Sequence, residues 1–218
     1  MPGALRERWA VMAGTIKNVV FDMGNVLMRF DGLQLAQAFT ATPEDAALLR
    51  DALFGAPIWV LLDSGTVTHE TVERVAAAHL PERLRPNLHE CMANWAEHSL
   101  PIEGTNDLAV RLKKAGYGIY LLSNTSTHVD DQLKNMPAAP YLDGRVISAA
   151  ERLMKPDPAI YQLLCERYGL VPGECLFVDD LEDNCVGARV AGMQAVRFAG
   201  DVAALEAAVR EVGLFALI

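Results

Sequence analysis

Hydrophobic and polar positions alternate along most of the chain with the periods of short strands and amphipathic helices. Runs rich in apolar and β-branched residues indicate buried strands at residues 16–21, 118–122, 145–147, 175–178 and 194–198. The intervening segments after residue 105 have helical periodicity and end on glycine, for example at Gly116 and Gly169. Repeated strand–helix units predict an α/β fold with a parallel sheet, because right-handed crossovers place helices on both faces of such a sheet.

The segment between the first two strands has a different pattern. From residue 31 to 99 only helical periodicity is found, with one helix opened by Pro43 and another capped by Thr68. A stretch of roughly 70 residues is too long for a simple crossover. We therefore predict a core of residues 15–30 and 100–218, and a helical insertion of residues 31–99 that acts as a cap. Residues 1–14 are interpreted as an N-terminal extension.

Composition narrows the classes of partner. The chain has 218 residues, of which 51% are hydrophobic and 22% charged, as in an ordinary globular protein. Its net charge of −9 argues against nucleic acid or an anionic membrane as a partner, because both require a basic surface. A small phosphorylated substrate is still compatible, since one lysine and a divalent cation can make a single cleft positive. The oligomeric state stays open.

The cysteines and histidines do not form a metal motif. The four cysteines include no C-x-x-C pair, and three of them lie in apolar patterns, so we expect buried reduced thiols and a cytoplasmic location. The five histidines lack the spacing of a zinc site. Residues 1–14 are too short and too interrupted by charge for a signal peptide or a membrane span.

Polar clusters follow the predicted strands. Asp22 ends the first strand, Ser123-Asn124 the second and Asp179-Asp180 a later one, while Lys155 directly precedes a helix. Each cluster alone is typical of a turn, a helix cap or a solvated surface residue. Parallel strands, however, place their ligands at their carboxyl ends. Carboxylates, a hydroxyl and one ammonium converging there predict a phosphoryl-transfer site.

That chemistry assigns a role to each group. Asp22 is the candidate nucleophile that forms an aspartyl-phosphate intermediate. Asp180, together with Asp22, can hold Mg²⁺, which favours one or two carboxylates plus water and substrate phosphate. Ser123 donates a hydrogen bond to a phosphoryl oxygen, and Lys155 neutralises the charge on the transferring group.

The order of these residues resembles the haloacid dehalogenase (HAD) superfamily of aspartate-nucleophile hydrolases. The matching segments are Asp22-Met23-Gly24-Asn25-Val26, Leu121-Leu122-Ser123-Asn124, Lys155 and Phe177-Val178-Asp179-Asp180. The resemblance implies a Rossmann-like core with a small helical cap, and a Mg²⁺-dependent phosphatase of small metabolites. It also implies metal binding by Asp22, Asp179, Asp180 and the Gly24 carbonyl, and substrate binding by Ser123, Asn124 and Lys155. Asn184 fits the family pattern as a support for Lys155 or the metal shell.

Within the superfamily, Phe-Asp-x-Gly-Asn-Val and Ser-Asn-Thr look most like bacterial sugar-phosphatases, including the α-D-glucose-1-phosphate phosphatase type. One position departs from the phosphatase pattern, because Gly24 stands where a second Asp usually protonates the leaving group. Such general acid–base help is worth ~10²–10⁴-fold. We expect this chain either to favour good leaving groups, such as sugar 1-phosphates, or to recruit another acid from the cap.

Two other functions stay open. Haloacid dehalogenases also lack the second Asp and need no metal, although they have no use for the carboxylate pair Asp179-Asp180. A weakly active or inactive binding protein could keep the fold and lose turnover. In the insertion, Trp59, Asp63 and His69 are candidates for substrate contact, with packing or turn chemistry as the default for each. Arg29 is interpreted as a solvated linker residue.

Overall fold

The computed structural model describes residues 15–214 of the chain. The strands are β1 (Asn18–Phe21), β2 (Gly118–Ser123), β3 (Gly144–Ile147), β4 (Cys175–Asp179) and β5 (Gln194–Arg197). The α-helices are α1 (Gly32–Gln37), α2 (Pro43–Ala52), α3 (Pro57–Asp63), α4 (His69–Ala78), α5 (Arg85–Asn94), α6 (Glu103–Lys114), α7 (Val129–Leu133), α8 (Ser148–Glu151), α9 (Pro158–Tyr168), α10 (Glu182–Val190) and α11 (Val202–Glu211). Short 3₁₀ turns cover Glu82–Leu84, Trp95–His98, Ala139–Tyr141 and Pro172–Glu174.

The five strands form one sheet in the order β3-β2-β1-β4-β5, and all neighbouring strands are parallel. Phe21 at the end of β1 lies opposite Leu121 of β2 and Val178 of β4. The residue after β1, Asp22, therefore reaches the same edge of the sheet as the ends of β2 and β4. Its backbone N–H continues the ladder by donating to the Val178 carbonyl at 2.9 Å. The predicted α/β fold with a parallel sheet is confirmed.

Both faces of the sheet are covered, which explains why its strands are continuous apolar runs. Val19 and Phe21 pack on one face with Leu108 of α6. Val20 packs on the other face with Ile160 of α9. All five side chains are fully buried, so successive residues of β1 serve two different hydrophobic clusters.

Helices α1 to α5 build a separate hydrophobic cluster between β1 and β2. At its centre, the rings of Phe30, Phe54, Trp59 and Trp95 lie with centroids 4.8–6.1 Å apart. Aromatic pairs at such distances add to the stabilisation from buried apolar area. The helical insertion thus has its own core, and two of its tryptophans face the carboxyl edge of the sheet across a cavity.

Most helix ends agree with their sequence signals. Thr68 Oγ1 accepts a hydrogen bond from the Thr71 backbone N–H at 3.2 Å, and the Asp157 carboxylate accepts one from Ala159 at 2.9 Å. Gly169 ends α9 with a left-handed backbone, at a φ of 66°. Helix α5 ends at Asn94, and the chain continues to His98 as a 3₁₀ turn.

Several sequence expectations concern the chain ends and the cysteines. All four cysteines are buried free thiols, as predicted. Over residues 15–214, no helix is long and apolar enough to cross a membrane. The predicted extension at residues 1–14 and the apolar tail after Leu214 lie outside the described residues. Leu214 itself is buried, and its carbonyl accepts a hydrogen bond from the Tyr117 hydroxyl at 2.7 Å.

Candidate active site

A buried ammonium group lies at the centre of the site. Lys155 Nζ is 2.7 Å from Asp22 Oδ1 and 2.7 Å from Asp179 Oδ2, and it lies 5.3 Å from the centre of the Phe177 ring. Burial alone lowers the pKa of Lys155, but attraction to Asp22 and Asp179 outweighs it, so the pKa is raised. An unpaired charge at such a depth costs several kcal/mol, which makes the two carboxylates necessary partners of the lysine.

Asp179 is held in place by a second set of donors. The Asn184 side-chain amide donates to both Asp179 oxygens, at 3.0 and 3.1 Å, and the Leu181 backbone N–H donates to Oδ1 at 2.8 Å. Asn184 was predicted to support Lys155 or the metal shell. In the structure it orients Asp179, which in turn holds the ammonium of Lys155.

The end of β2 is tied to the backbone of Lys155. Asn124 Nδ2 donates to the Lys155 carbonyl and Asn124 Oδ1 accepts from the Lys155 N–H, both at 2.9 Å. This reciprocal pair fixes the segment that carries the lysine to the carboxyl edge of the sheet. The Asn124 amide, predicted to bind substrate, is therefore engaged at both ends in positioning Lys155. Ser123 is buried and lines the cavity between the sheet edge and the tryptophans of the insertion.

Three carboxylates form a candidate cation site. One oxygen each from Asp22, Asp179 and Asp180 lies within 4.8 Å of the other two. Because Asp179 already accepts hydrogen bonds from Lys155, Asn184 and Leu181, Asp22 and Asp180 are the better ligands. Two carboxylates beside a cavity with room for water and phosphate fit the oxygen donors that Mg²⁺ prefers. Gly24, whose carbonyl was predicted as a third ligand, lines that cavity too.

Burial and mutual repulsion raise the pKa values of Asp22 and Asp180. Burial and then the neighbouring Asp179 raise the pKa of Asp22 to about 6, while Lys155 acts in the opposite direction. The pKa of Asp180 is raised for the same two reasons, against a weaker opposing effect of Asn25. A divalent cation bound between Asp22 and Asp180 would favour the ionised form of both.

The turn after β1 does not require a glycine at Gly24. The Gly24 φ is not in the left-handed region, and a Cβ placed there meets no heavy atom within 4 Å. An aspartate would therefore fit, so the glycine is not required by space. Asn25, at a φ of 54°, accepts a hydrogen bond from Phe30 N at 3.0 Å and lies 3.5 Å from Asp180 Oδ2. Sequence reasoning missed this role of Asn25, although a Gly-Asn pair directly after a strand is a recognisable turn signal.

A cavity of about 270 Å³ opens above these groups. The sheet edge contributes Asp22, Ser123, Lys155 and Asp180, while the helical insertion contributes Trp59, Asp63 and Trp95. Reactive groups and an aromatic wall therefore face each other across a space that fits a small molecule.

The other residues that the sequence singled out around the insertion have varied positions. His69, at the start of α4, stacks on His128 of the core with ring centroids 3.7 Å apart. Arg29 is exposed, as a linker residue would be, yet it lines this cavity as well as a neighbouring one beside Phe54. Trp59 packs in the aromatic cluster as expected and also lines the cavity.

Comparisons with known proteins agree with this geometry. Residues 16–192 match the family model of haloacid dehalogenase-like hydrolases. A D-ribitol-5-phosphate phosphatase from Bacteroides thetaiotaomicron is 27% identical over 178 residues, which cover 78% of this chain and 85% of that protein. An (S)-2-haloacid dehalogenase from Burkholderia cepacia is 37% identical over 91 residues, or 40% of this chain and 38% of that protein.

Solved structures share the fold. A HAD family enzyme from Bacteroides thetaiotaomicron in complex with magnesium superposes with a TM-score of 0.69 at 23% identity, covering 86% of this chain and 96% of that one. An L-2-haloacid dehalogenase from Xanthobacter autotrophicus superposes with a TM-score of 0.64 at 23% identity, covering 84% of this chain and 78% of that one. With most of its length matched by the family model, the chain belongs to the haloacid dehalogenase-like hydrolases and is an enzyme of that family.

Proposed function

We propose that this hydrolase is a Mg²⁺-dependent phosphatase of a small phosphorylated metabolite, with Asp22 as the nucleophile. The observation that carries the proposal is the arrangement around Lys155. Its ammonium lies 2.7 Å from Asp22 Oδ1, and Asp180 adds a further carboxylate to the same cluster. A bound Mg²⁺ would neutralise the phosphoryl oxygens and fix the phosphate against Asp22.

The residues divide the reaction into two displacements. An oxygen of Asp22 attacks phosphorus, the bond to the ester oxygen breaks, and the alcohol leaves with a proton from an acid. Water then attacks the aspartyl phosphate, the bond between phosphorus and the Asp22 oxygen breaks, and inorganic phosphate is released. Ser123 and Lys155 stabilise the charge on the phosphoryl oxygens in both steps, and Lys155 is already held by Asp22 and Asp179 before the substrate binds.

The helical insertion acts as the cap in this proposal. Trp59 and Trp95 provide an apolar wall opposite the phosphoryl site, and a cavity of about 270 Å³ leaves room for a short carbon chain or one sugar ring. Excluding water at this point strengthens the electrostatic interactions in the site. The similarity to a D-ribitol-5-phosphate phosphatase supports a sugar or polyol phosphate as the substrate class.

Dehalogenation is the second candidate, because Gly24 and the matches to two haloacid dehalogenases favour it. Asp180 argues against it, since displacement of a halide by Asp22 needs no second carboxylate for a cation. Chloride release from 2-chloropropionate separates the two reactions. We expect no chloride release at enzyme concentrations that release phosphate readily.

The deciding experiment measures phosphate release from a panel of sugar and polyol phosphates, with Mg²⁺ and with excess EDTA. We expect turnover with Mg²⁺, its loss with EDTA, and its loss in Asp22→Asn. Asp107→Asn, an exposed site on α6, is the matched control and should keep the wild-type rate. Metal-independent turnover, or an active Asp22→Asn variant, would contradict the proposal.

A further inference from the structure

The phosphatase reaction needs a proton for the leaving oxygen, and Gly24 has no side chain to provide one. Among the described residues, the acidic side chains that line the cavity are Asp22, Asp63 and Asp180. Asp22 and Asp180 belong to the carboxylate cluster, so neither is free to donate a proton while a cation is bound there. Asp63, at the end of α3 in the helical insertion, faces the cavity from the opposite side.

The core holds the backbone of Asp63 in place. Ser148, buried at the end of β3, donates from Oγ to the Asp63 carbonyl at 2.5 Å. The same Ser148 oxygen accepts the Thr125 backbone N–H at 2.9 Å. Asp63 is thus linked through one hydroxyl to the loop that begins with Ser123 and Asn124, two residues of the phosphoryl site.

The turn after Asp63 packs closely against the core. Gly65 has a left-handed φ of 71°, and a Cβ at this residue would lie 2.3 Å from the Ala149 carbonyl oxygen of α8. The backbone of the insertion therefore sits directly on the backbone of the core at this point, which only glycine permits. The contacts at Ser148 and Gly65 fix the position of the Asp63 backbone beside the cavity, and proton transfer requires such positioning.

The surroundings of the Asp63 carboxyl group favour its protonated form. Burial and the negative charge of Asp22 raise the pKa of Asp63 to about 8, against an opposing hydrogen bond from the Ser126 backbone. A carboxyl group with such a pKa carries a proton near neutral pH, and it can return to the ionised form at modest cost.

Other charged groups surround this carboxyl. Lys155, Arg29 and Asp180 line the same cavity. Of the elements that contact α3, α4 carries His69, Glu70, Glu73 and Arg74, and α8 carries Glu151, which is paired with Arg167. His128, two residues after Ser126, stacks on His69.

We propose that Asp63 is the general acid and general base of this enzyme, provided by the cap in place of the side chain that Gly24 lacks. The inference rests on the proposed phosphatase function and deepens it. In the first step the Asp63 hydroxyl proton passes to the ester oxygen as its bond to phosphorus breaks, which leaves a carboxylate. In the second step that carboxylate takes a proton from the attacking water, and the acid is restored.

The first test uses leaving groups of different quality. Asp63→Asn keeps the size of the side chain and an oxygen that accepts the Ser126 N–H, but it cannot transfer the proton. For an alkyl sugar phosphate we expect kcat/KM to fall by ~10²–10⁴-fold. For p-nitrophenyl phosphate, whose leaving group needs no proton, we expect a change of less than about tenfold, well short of what general acid catalysis is worth. Asp51→Asn, an exposed carboxylate of the same insertion, is the matched control and should behave as wild type.

The second test restores the acid at the position where related phosphatases carry it. Because a Cβ at Gly24 meets nothing within 4 Å, Gly24→Asp should be accommodated. We expect Gly24→Asp combined with Asp63→Asn to regain turnover of the alkyl phosphate relative to Asp63→Asn alone. In the wild type, kcat/KM for the alkyl phosphate should decline as Asp63 ionises with rising pH, and this decline should be absent in Asp63→Asn.

The outcomes separate the two proposals. If the wild type hydrolyses p-nitrophenyl phosphate and Asp22→Asn does not, the phosphatase function holds whatever Asp63 does. Asp63 is then overturned as acid and base if Asp63→Asn lowers kcat/KM equally for both substrates, or for neither. A difference infrared spectrum of wild type minus Asp63→Asn gives a readout without turnover, and we expect a protonated carboxyl band at pH 7. Absence of that band would also overturn the inference, and a wild type inactive on both substrates would overturn both proposals.

Discussion

The carboxyl edge of the sheet and the face of the helical insertion opposite it hold their side chains in different ways. At the sheet edge, Lys155 lies between Asp22 and Asp179, and Asp179 also accepts hydrogen bonds from the Asn184 amide. On the insertion, Trp59 and Trp95 pack mainly against other rings. Asp63 is the acidic side chain that this face contributes to the cavity.

This contrast separates two tasks. The groups at the sheet edge are fixed by strand ends and by hydrogen bonds to one another, so changing one of them should disturb the others. The groups on the insertion touch the cavity more independently, so changing them should alter proton supply or substrate preference and leave the phosphoryl site intact. The predictions below test this division, starting with the largest expected effect.

Replacing Lys155 with Met removes the ammonium and keeps most of the side-chain volume. Asp22 and Asp179 would then share a buried site without their cation, so we expect the free energy of unfolding to fall by about 3–5 kcal/mol and turnover to be lost. Urea denaturation followed by tryptophan fluorescence measures the first effect. Lys134→Met, which removes an exposed partner of Asp131, is the control and should change stability little. Equal losses in the two variants would contradict the central role of Lys155.

Replacing Asn184 with Ala removes both hydrogen bonds from its side chain to Asp179 but leaves the ion pair with Lys155. Removing a group that orients an active-site ligand typically lowers metal affinity or activity by about 10–100-fold. We expect kcat to fall in that range with KM nearly unchanged, as measured by steady-state phosphate release. Asn135→Ala, at an exposed position, should retain the wild-type kcat. A wild-type kcat for Asn184→Ala would show that Asp179 does not need this support.

Replacing Gly65 with Ala tests the contact that positions Asp63. Gly200 is the matched control, because it too has a left-handed φ, but a Cβ there meets nothing within 4 Å. An alanine in this conformation costs about 1–2 kcal/mol by itself. We expect Gly200→Ala to lose only that amount, and Gly65→Ala to lose more and to slow turnover of alkyl phosphates. Thermal unfolding and kcat measure the difference, and identical behaviour of the two variants would contradict the proposed contact.

The smallest expected effect concerns the stacked pair His69 and His128, which joins the insertion to the core. Burial and then the neighbouring His128 lower the pKa of His69, so the folded state favours its neutral form. The contact therefore contributes most to the free energy of unfolding above the ordinary histidine pKa. Its contribution declines as the pH falls below that value. We expect the wild type to lose stability between pH 7 and 5 slightly faster than His128→Gln. Parallel pH profiles in thermal unfolding would contradict this account.

Much of the fold could be predicted from the sequence because its signals are local and strong. The apolar run before Asp22 is buried on both faces, and Gly169 ends α9 in the conformation that glycine favours. The convergence of Asp22, Ser123 and Asp179 also follows from the topology, since the carboxyl ends of parallel strands share one edge. Lys155 could be included because it directly precedes the helix begun by Pro158.

The remaining parts of the site depend on contacts between distant segments. Nothing local to Asp63 distinguishes it from another polar residue at the end of a short helix; its environment arises from Ser148, Ser126 and Asp22. The amide of Asn124 was expected to meet substrate, but its partner is the backbone of Lys155, which lies 31 residues away in sequence. Such partners are known only once the insertion and the core have been placed together.

The central claim is that Asp22 carries the phosphoryl group during turnover. The most direct measurement is mass spectrometry of enzyme quenched rapidly in acid during steady-state hydrolysis of a sugar phosphate, followed by peptide mapping of residues 15–30. We predict one phosphoryl group on Asp22 in the wild type. With p-nitrophenyl phosphate as the substrate we predict more of it in Asp63→Asn, because formation of the intermediate needs no acid there and attack by water is slowed. A phosphoryl group on another residue, or none in an enzyme that is turning over, would contradict the account.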